Sequence, residues 1–344
     1  MCLTMQYRLS FCIPTFNFGA FIGQTLDSII SQATDDVQIV IVDGGSTDDT
    51  ADIVERYKRE FGRIKFIRRG RRYGIDLDIL ETVSQADGEY CWLLSSDDVL
   101  RPNAIERILN VLNAGDYDVV MVGFDSCTVD MSRIDTHPIS GFKEPVTLDL
   151  ARANDRERYF TKAITTTAFF SFISDVIVRR STWQDTPVDS EFIGSCWIIA
   201  SKLFSASRSK LKLFYDPAVY LDKRGDNDSF SSAGVVKRLR LSICGFRELG
   251  LFYFGDTAKE YREIERVLRN EYTFYTMLYF KLVVARSGKV GDRQQFLSIV
   301  DQHWKGVGLL PRFKAIAIRF APIWFLAVLY RVYTVFRRLM LLKK

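Results

Sequence analysis

Short apolar runs alternate with helical patterns along the first third of the chain. Continuous β-branched and aromatic runs are typical of strands buried on both faces of a parallel sheet, and alternation with helices predicts right-handed crossovers. The strands are predicted at residues 9–13, 37–42, 64–67 and 90–94, and the helices at residues 21–30, 53–57 and 74–86. The pattern therefore indicates an α/β fold with a doubly wound, mostly parallel sheet.

The middle of the chain is less regular. Residues 128–167 have weak periodicity and scattered Pro and Gly, which predicts loops. Further strands are predicted at residues 117–124, 173–178 and 211–220. We expect all these segments to belong to one α/β domain over residues 1–232.

Long helical patterns dominate the remainder of the sequence. Apolar residues recur at spacings of three and four at residues 235–254, 258–286 and 313–342. Such spacing places the apolar side chains on one face of each helix. We therefore expect a helical C-terminal region over residues 233–344.

Polar side chains stand just past the ends of three predicted strands. They are Thr15 and Asn17 after the first strand, Asp43 after the second, and Asp97 with Asp98 after the fourth. Open α/β sheets bind ligands outside the carboxyl ends of their strands, so these side chains should converge at one edge. Two adjacent carboxylates favour a hard divalent cation that also holds phosphate oxygens.

An alternative interpretation treats the acidic turn, residues 95–98 (Ser-Ser-Asp-Asp), as local structure. Asp and Ser favour turns and helix N-caps, and a helix is predicted to begin near Pro102. The chain has no GxGxxG after the first strand and no GxxxxGKS/T, which argues against a dinucleotide site and a P-loop. A nucleotide held by side chains and a metal ion fits this pattern better.

Charge is distributed unevenly along the 344 residues. The segment 302–344 has nine Lys or Arg and no Asp or Glu, whereas the remainder has 38 basic and 42 acidic residues. A cationic, apolar tail indicates a surface that meets anions, usually a membrane or a nucleic acid. Nucleic acid is the weaker candidate and is not expected, because the basic residues lie on an apolar helix without interleaved stacking platforms.

The tail itself is predicted to form a basic amphipathic helix at about residues 313–342, kinked at Pro322. Several of its arginines fall in one arc, opposite Trp324 and Phe325. Its apolar stretch is short for a bilayer span and contains Arg331, so we expect the helix to lie at a membrane surface. Alternatively, its apolar face packs on the α/β domain or on a second subunit, so an oligomer is possible.

The cysteines and the N-terminus indicate where the protein is located and which kinds of site are not expected. Six scattered cysteines without a CxxC pair, and only two histidines, make a zinc site or a disulfide framework unexpected. The N-terminus shows no basic segment followed by an apolar stretch, so no secretory signal is expected. We expect a cytoplasmic protein, peripheral on the inner face of the cytoplasmic membrane.

Three motifs occur in order near the predicted strand ends. They are Ile13-Pro14-Thr15-Phe16-Asn17, then Ile41-Val42-Asp43-Gly44-Gly45-Ser46-Thr47-Asp48, then Ala86-Asp87-Gly88-Glu89-Tyr90 leading into Ser96-Asp97-Asp98. Together they resemble the family-2 glycosyltransferases, which have the GT-A fold, over roughly residues 9–122. Residues 88–98 and 223–230 are most similar to the abequosyltransferase-like branch of bacterial O-antigen assembly.

The resemblance implies a nucleotide site on this edge of the sheet. Pro14 and Thr15 would line the nucleotide pocket, together with Asn17. Asp43 would accept a hydrogen bond from the base, and Asp97 would face the ribose.

The resemblance also implies a metal ion at the diphosphate. Asp98 would bind Mg²⁺ or Mn²⁺ there, where the ion stabilises negative charge on the leaving phosphate oxygen as a Lewis acid. Arg224 is a candidate for the same diphosphate, because a guanidinium matches phosphate geometry. It is equally consistent with a surface arginine.

The general base departs from the family pattern. Many relatives have Glu-Asp ahead of an amphipathic helix, but the matching stretch here, residues 192–197, contains no acid. Glu191 and Asp189 lie nearby, and a carboxylate within hydrogen-bond reach of the acceptor hydroxyl is what the step requires. Otherwise both are solvated loop acids.

These expectations define two functions. The first is an inverting glycosyltransferase that moves a sugar from a nucleotide-diphosphate donor to a hydroxyl of a lipid-linked glycan acceptor, in cell-surface polysaccharide or O-antigen biosynthesis. The second is a non-catalytic nucleotide-sugar-binding partner in a polysaccharide assembly complex. The missing base is the only support for the second.

Overall fold

The computed structural model describes residues 7–225, 227, 234–289, 291–305 and 308–328. The chain divides into two compact units, Met1–Asn227 and Asp228–Lys344. The predicted tail helix runs past residue 328, so Arg331 and the basic residues after it lie outside the described part of the chain.

The first unit is built on one mixed sheet. Its strands are β1 (Tyr7–Thr15), β2 (Val37–Asp43), β3 (Ile64–Arg68), β4 (Gly88–Leu93), β5 (Val99–Leu100), β6 (Val119–Cys127), β7 (Arg133–Thr136), β8 (Val146–Asp149), β9 (Val176–Arg179) and β10 (Lys212–Lys223). Their order in the sheet is β3-β2-β1-β4-β9-β6-β10-β5, while β7 pairs with β6 and β8 with β10. Strands β3, β2, β1 and β4 are parallel, which confirms the predicted α/β sheet.

Helices connect the strands of this unit, and the first three follow the parallel strands β1, β2 and β3. They are α1 (Gly19–Ile30), α2 (Thr50–Glu60), α3 (Ile75–Ser84), α4 (Ala104–Ala114), α5 (Ala153–Lys162), α6 (Arg180–Asp185) and α7 (Ile198–Ser207). Strand β2 is buried along its whole length, as its β-branched run predicts. Strand β4 begins at Gly88. A larger residue would not fit at this position, because a Cβ there would lie 2.6 Å from Ser10 Oγ.

Residues 128–167 are more ordered than predicted. Besides loops, they form the strands β7 and β8, the helix α5 and a 3₁₀ turn at Thr166–Phe169. All four residues of β7 are exposed, and β8 alternates apolar and polar residues over only four positions, so neither strand gives a clear signal. The prediction of loops was therefore wrong for these elements, while residues 128–132 and 141–145 are loops as predicted.

The strand predicted at residues 173–178 is shorter than expected. Residues Ile173–Asp175 form a 3₁₀ turn, and β9 begins only at Val176. This strand runs antiparallel between β4 and β6. Its turn therefore places Ser174 close to the end of β4.

The second unit is helical within its described residues. Its helices are α8 (Val235–Leu239), α9 (Gly245–Phe254), α10 (Lys259–Glu271), α11 (Phe274–Ser287), α12 (Asp292–His303) and α13 (Leu309–Phe320), with a π-helical turn at Arg240–Cys244. A buried cluster that includes Phe296, Val300 and Ile318 packs α8, the π-helical turn, α11, α12 and α13 together. The helical stretch predicted at residues 258–286 is broken, because Thr273 caps α11 and accepts a hydrogen bond from Thr276 N.

The tail helix is interrupted where Pro322 predicts a kink. Helix α13 ends at Phe320, and residues 323–328 continue as helix after the break. The buried ammonium of Lys281 donates to three carbonyl oxygens at this end: Ile318 O (2.6 Å), Arg319 O (2.9 Å) and Ala321 O (2.7 Å). A cation at a helix C-terminus satisfies free carbonyls and opposes the negative end of the dipole. Within the described residues, no helix has both the length and the apolar character that crossing a bilayer needs.

Candidate functional site

The parallel strands bring the three polar motifs to one edge of the sheet. Thr15 ends β1 and is the register partner of Asp43 at the end of β2. The neighbouring strand β4 pairs with β1 on its other side and leads, after Leu93, into the acidic turn. The convergence expected from strand topology is therefore present.

Side chains that follow β2 accept hydrogen bonds from backbone N–H groups at the start of α1. Three backbone N–H groups donate to these side chains: Asn17 N to Ser46 Oγ (2.8 Å), Phe18 N to Thr50 Oγ1 (3.0 Å) and Gly19 N to Asp48 Oδ2 (3.0 Å). The first N–H groups of a helix have no partner within the helix, so these side chains fill that role. The side chain of Asn17 accepts in return from Thr47 N (2.8 Å). The two turns are thereby held as one unit.

Two polar atoms in this corner are buried without a hydrogen-bond partner in the described structure. Asp43 is fully buried, and its Oδ1 accepts from Ser46 N (2.9 Å) and Ser46 Oγ (2.6 Å). Its Oδ2 is unsatisfied, with Arg68 Nε 3.7 Å away, and Thr15 Oγ1 is unsatisfied too. Because such atoms cost free energy when buried, they indicate where a ligand or water supplies the missing partner. Pro14, opposite Val42, lies directly before Thr15.

The acidic turn is buried and held by hydrogen bonds from distant parts of the chain. Asp98, only 1% exposed, accepts from Ser174 Oγ (2.5 Å) and from the backbone N of Arg224 (2.9 Å). Asp97 accepts from Ser95 Oγ and from Asn227 Nδ2. Burial, and then the charge of Asp97, raise the pKa of Asp98.

The helix-cap interpretation of the acidic turn is wrong. The short strand β5 (Val99–Leu100) follows the turn, and α4 begins at Ala104 with Asn103 as its N-cap residue. Neither Asp97 nor Asp98 is at a helix N-terminus. The carboxylate of Asp98 is therefore positioned by long-range contacts, and that of Asp97 by Ser95 within the turn together with the distant Asn227.

Arg224 supports the acidic turn from below. Its side chain is buried, and Nε donates to Asp97 O (2.9 Å), Nη1 to Val129 O, and Nη2 to Gln24 Oε1. Each guanidinium nitrogen has a protein partner and the side chain is buried, which excludes a surface arginine, whereas the contact with the diphosphate stays a prediction. The predicted motif continues through residues 226 and 228–230, which lie outside the described residues.

The two candidate bases lie in one short segment ahead of α7. Glu191 is exposed within the 3₁₀ turn Ser190–Phe192, and Asp189 precedes that turn and is partly buried. Ser195 and Cys196 occupy the positions just before the helix. The structure thus presents both carboxylates on a loop, and their role stays a prediction.

Ser174 is a site residue that the sequence pattern does not reveal. It lies 76 residues from Asp98, and its hydroxyl also accepts from Ser95 N (2.9 Å). A serine inside an apolar stretch predicted as strand carries no signal for this contact. Its position depends on the sheet placing β9 next to β4.

The chemistry of the acidic turn fits a divalent cation. Carboxylate oxygens are the ligands that Mg²⁺ and Mn²⁺ prefer, and each oxygen of Asp98 keeps a second lone pair beside its hydrogen bond. No cluster of three or more His, Cys, Asp or Glu suited to a metal occurs in the part of the chain described. A metal here would therefore take most of its ligands from phosphate and water, as Mg²⁺ commonly does.

Solved structures share this architecture. TarS 1–349 of S. aureus, in complex with UDP-GlcNAc, matches with a TM-score of 0.61 at 17% identity, covering 91% of this chain and 89% of that chain. The mannosyltransferase PcManGT of Pyrobaculum calidifontis, in complex with GDP-Man and Mn²⁺, matches with a TM-score of 0.51 at 15% identity, covering 93% and 83%. The fold is that of the GT-A glycosyltransferases.

Sequence relatives give the family. The family model for glycosyl transferase family 2 matches residues 10–179. Abequosyltransferase RfbV of Salmonella typhimurium is 27% identical over 83% of this chain and 86% of its own length, and the GalNAc(5)-diNAcBac-PP-undecaprenol β-1,3-glucosyltransferase of Campylobacter jejuni is 25% identical over 77% and 75%. The chain belongs to glycosyltransferase family 2 and is related to the abequosyltransferase branch.

Proposed function

We propose that this glycosyltransferase moves a sugar, with inversion, from a nucleotide-diphosphate donor to a hydroxyl of a lipid-linked glycan acceptor in cell-surface polysaccharide or O-antigen assembly. One observation carries the proposal. The buried acidic turn lies at the same sheet edge as two buried polar atoms that lack hydrogen-bond partners in the described structure, Asp43 Oδ2 and Thr15 Oγ1. A nucleotide diphosphate supplies donors for the first region and phosphate oxygens for a cation at the second.

The relatives support the substrate classes. The TarS structure contains UDP-GlcNAc and the PcManGT structure contains GDP-Man with Mn²⁺. The Campylobacter relative is named for a polyprenyl-diphosphate-linked acceptor. For the present chain, a nucleotide sugar and a lipid-linked glycan are the corresponding proposals.

The proposed nucleotide contacts combine the roles that the family resemblance implies with the geometry of the edge. Asp43 Oδ2 accepts an N–H of the base, while Oδ1 stays on Ser46 and fixes the carboxylate in place. Pro14 and Thr15 form the pocket wall, and Asn17 shapes it through its bonds to the turn after β2. Asp97 faces the ribose.

The diphosphate lies at Asp98 in this proposal. Asp98, with Asp97 beside it, would hold Mg²⁺ or Mn²⁺, whose chemistry is to stabilise negative charge on the leaving diphosphate. Ser174 and the backbone of Arg224 keep the Asp98 carboxylate in one orientation, so no reorganisation is needed when the charge develops. Arg224 acts here as a support of the turn.

The acceptor hydroxyl loses its proton to a carboxylate on the segment before α7. Glu191 is the first candidate and Asp189 the second, because both precede the positions where relatives have Glu-Asp. A single displacement needs one base and no covalent nucleophile, and the base must come within hydrogen-bond reach of the hydroxyl. The anomeric configuration is then inverted.

A second candidate function is a non-catalytic nucleotide-sugar-binding partner of an assembly complex. The specific observation in its favour is that residues 192–197, ahead of α7, contain no acid, whereas the family resemblance implies Glu-Asp in this stretch. Such a protein would bind the donor but would neither hydrolyse nor transfer it.

The central test of the proposed function is Asp98→Ala. We expect turnover of a UDP-, GDP-, CDP- or dTDP-sugar in the presence of Mg²⁺ or Mn²⁺ to fall by about two orders of magnitude or more, as loss of a major electrostatic group produces. Asp52→Ala, at an exposed first-turn position of α2, is the matched control and should keep full activity. Undiminished turnover in the presence of a chelator would overturn the metal role.

The base assignment is tested by Glu191→Gln and Asp189→Asn. We expect Glu191→Gln to reduce transfer while nucleotide binding, measured by calorimetry, stays unchanged, because an amide accepts no proton from the hydroxyl. An active Glu191→Gln with an inactive Asp189→Asn would move the base to Asp189. NMR of the product should show inversion, and retention would contradict the single displacement.

We also propose that the second unit binds the membrane surface through α13. Leu309, Phe313, Ile316 and Phe320 form an exposed apolar stripe along this helix, and Phe313 and Phe320 are 67% and 74% exposed. The opposite face of α13 contributes Ala315 and Ile318 to the buried cluster. The exposed stripe is therefore not the face that packs within the unit. Arg312 and Lys314 flank the stripe, and each basic residue near an anionic surface contributes about 1 kcal/mol.

This membrane proposal is tested by substitutions in the exposed stripe. A truncation after Leu310 is less suitable, because it would also remove Ala315 and Ile318 from the buried cluster. We expect Phe313→Ser/Phe320→Ser to lower co-sedimentation with phosphatidylglycerol vesicles by about tenfold or more, since each buried aromatic contributes about 1.5–3 kcal/mol. Transfer to lipid-linked acceptor should fall, whereas donor hydrolysis should not. The control Val129→Ser/Ile134→Ser removes two exposed apolar side chains of the first unit. Equal binding by both double variants would favour packing or a dimer.

A further inference from the structure

Asp76 is a buried carboxylate that the proposed reaction does not yet use. It lies in the first turn of α3 and is 2% exposed. Its carboxylate accepts three backbone N–H groups from a segment about 120 residues away: Gly194 N (2.7 Å), Cys196 N (2.9 Å) and Ile198 N (3.3 Å). Burial raises the pKa of this carboxyl, and the three N–H groups act against that shift because they favour its charged form.

The segment around Asp76 has the shape of an anion-binding loop. Gly194 and Cys196 have φ values of +87° and +69°, and the residue between them, Ser195, bonds within the loop to Phe192 O (2.6 Å) and Trp197 N (3.0 Å). Left-handed residues alternating with others turn successive N–H groups towards one point. That point is occupied by the carboxylate of Asp76, at the N-terminus of α7, where the helix dipole adds to the attraction.

A second buried charge holds the other end of the same segment. Lys202, on α7, is 3% exposed and donates to Thr186 O. Its ammonium also lies over the ring of Trp183, 5.1 Å from the centroid. Residues 186–198 are therefore held at one end by the ammonium of Lys202 and at the other by the carboxylate of Asp76. Asp189 and Glu191 lie between these two contacts.

The first turn of α3 also touches the nucleotide side of the site. Asp78, two residues after Asp76, forms an ion pair with Arg69 (2.8 Å). A Cβ on Gly44, directly after Asp43, would lie 2.9 Å from Asp78 Oδ2. One helical turn thus contacts both the end of β2 and the segment with the candidate bases.

We propose that Asp76 is a positioning residue for the acceptor side of the reaction: its carboxylate holds residues 189–198 in the shape that presents the base to the acceptor hydroxyl. This inference rests on the proposed glycosyl transfer. Asp76 does not touch substrate. It acts through the loop, so its loss should affect transfer to an acceptor hydroxyl more than binding or hydrolysis of the donor.

The replacement Asp76→Asn keeps the size of the side chain and removes the interaction. An amide has one acceptor oxygen, and its NH₂ group meets N–H donors that need an acceptor. At least one backbone N–H then loses its partner. We expect amide hydrogen exchange of residues 192–198, measured by mass spectrometry, to become about tenfold faster or more, which corresponds to about 1.4 kcal/mol.

The functional readout is the ratio of transfer to donor hydrolysis. UDP-, GDP-, CDP- and dTDP-sugars serve as donors, and undecaprenyl-diphosphate-linked glycans extracted from bacterial membranes serve as acceptors. We expect Asp76→Asn to lower this ratio by about tenfold or more, because small misplacements of a catalytic group are costly. Donor hydrolysis and nucleotide affinity should stay within about threefold. Asp52→Asn, the same change in the exposed first turn of α2, should alter neither readout.

A second variant covers the case in which Asp76→Asn does not fold. Gly194→Ala strains the left-handed backbone of the same loop, and its Cβ would meet nothing within 4 Å. Gly255→Ala, at φ +80° and equally open, is its control in the second unit. Gly194→Ala should lower the transfer-to-hydrolysis ratio and Gly255→Ala should not.

The possible failures can be told apart. Faster exchange with an unchanged ratio would make Asp76 a purely structural residue and overturn the inference, as would unchanged exchange. A wild-type protein that neither hydrolyses nor transfers any donor would contradict the proposed function, and with it the positioning role. The exchange measurement needs no activity and would still decide whether Asp76 holds the loop.

Discussion

The burial of two adjacent carboxylates, Asp97 and Asp98, is the constraint on which the rest of the site depends. Removing these charges from water is costly unless donors replace the lost hydration. The donors come from the turn before β9, which provides Ser174, and from the end of β10, which provides the backbone N–H of Arg224. The half of the sheet that contains β9, β6 and β10 therefore contributes to the site as well as to the core. It brings two distant segments to the carboxylates that follow the parallel half.

Backbone and side-chain polar groups differ in their hydrogen bonding at the corner of the sheet edge that holds Thr15 and Asp43. The N–H groups that begin α1 are paired with the turn after β2, so the backbone there is rigid and closed. Asp43 Oδ2 and Thr15 Oγ1 lack hydrogen-bond partners in the same rigid corner of the described structure, although Arg68 Nε lies 3.7 Å from Asp43 Oδ2. Each such buried atom costs about 1–3 kcal/mol until a ligand or water satisfies it. The edge is therefore organised for a ligand that brings its own hydrogen-bond donors.

The sequence predicted those parts of the fold and site whose cause is local. Apolar runs such as residues 37–42 reveal buried strands, and the strand ends bring Thr15, Asp43 and Asp98 to one edge. By contrast, β7 is fully exposed and gives no periodic signal. The partners of Asp98 and Asp76 are 76 to 126 residues away in sequence, so no local pattern identifies them. Arg224 resembles a ligand-binding arginine in its motif, and only its three protein contacts show its supporting position.

The most direct test of the account is the thermal stability of the whole protein with nucleotide diphosphates. UDP, GDP, CDP and dTDP are each added with Mg²⁺ or Mn²⁺, and again with a chelator. We predict that at least one of them raises the melting temperature, since a ligand at 100 times its dissociation constant adds about 2.7 kcal/mol. The metal-dependent part of this shift should disappear in Asp98→Asn, and the preference among bases should weaken in Asp43→Asn. No stabilisation by any nucleotide, or a stabilisation that stays at its full metal-loaded value both in chelator and in Asp98→Asn, would contradict the assignment of this sheet edge as the donor site.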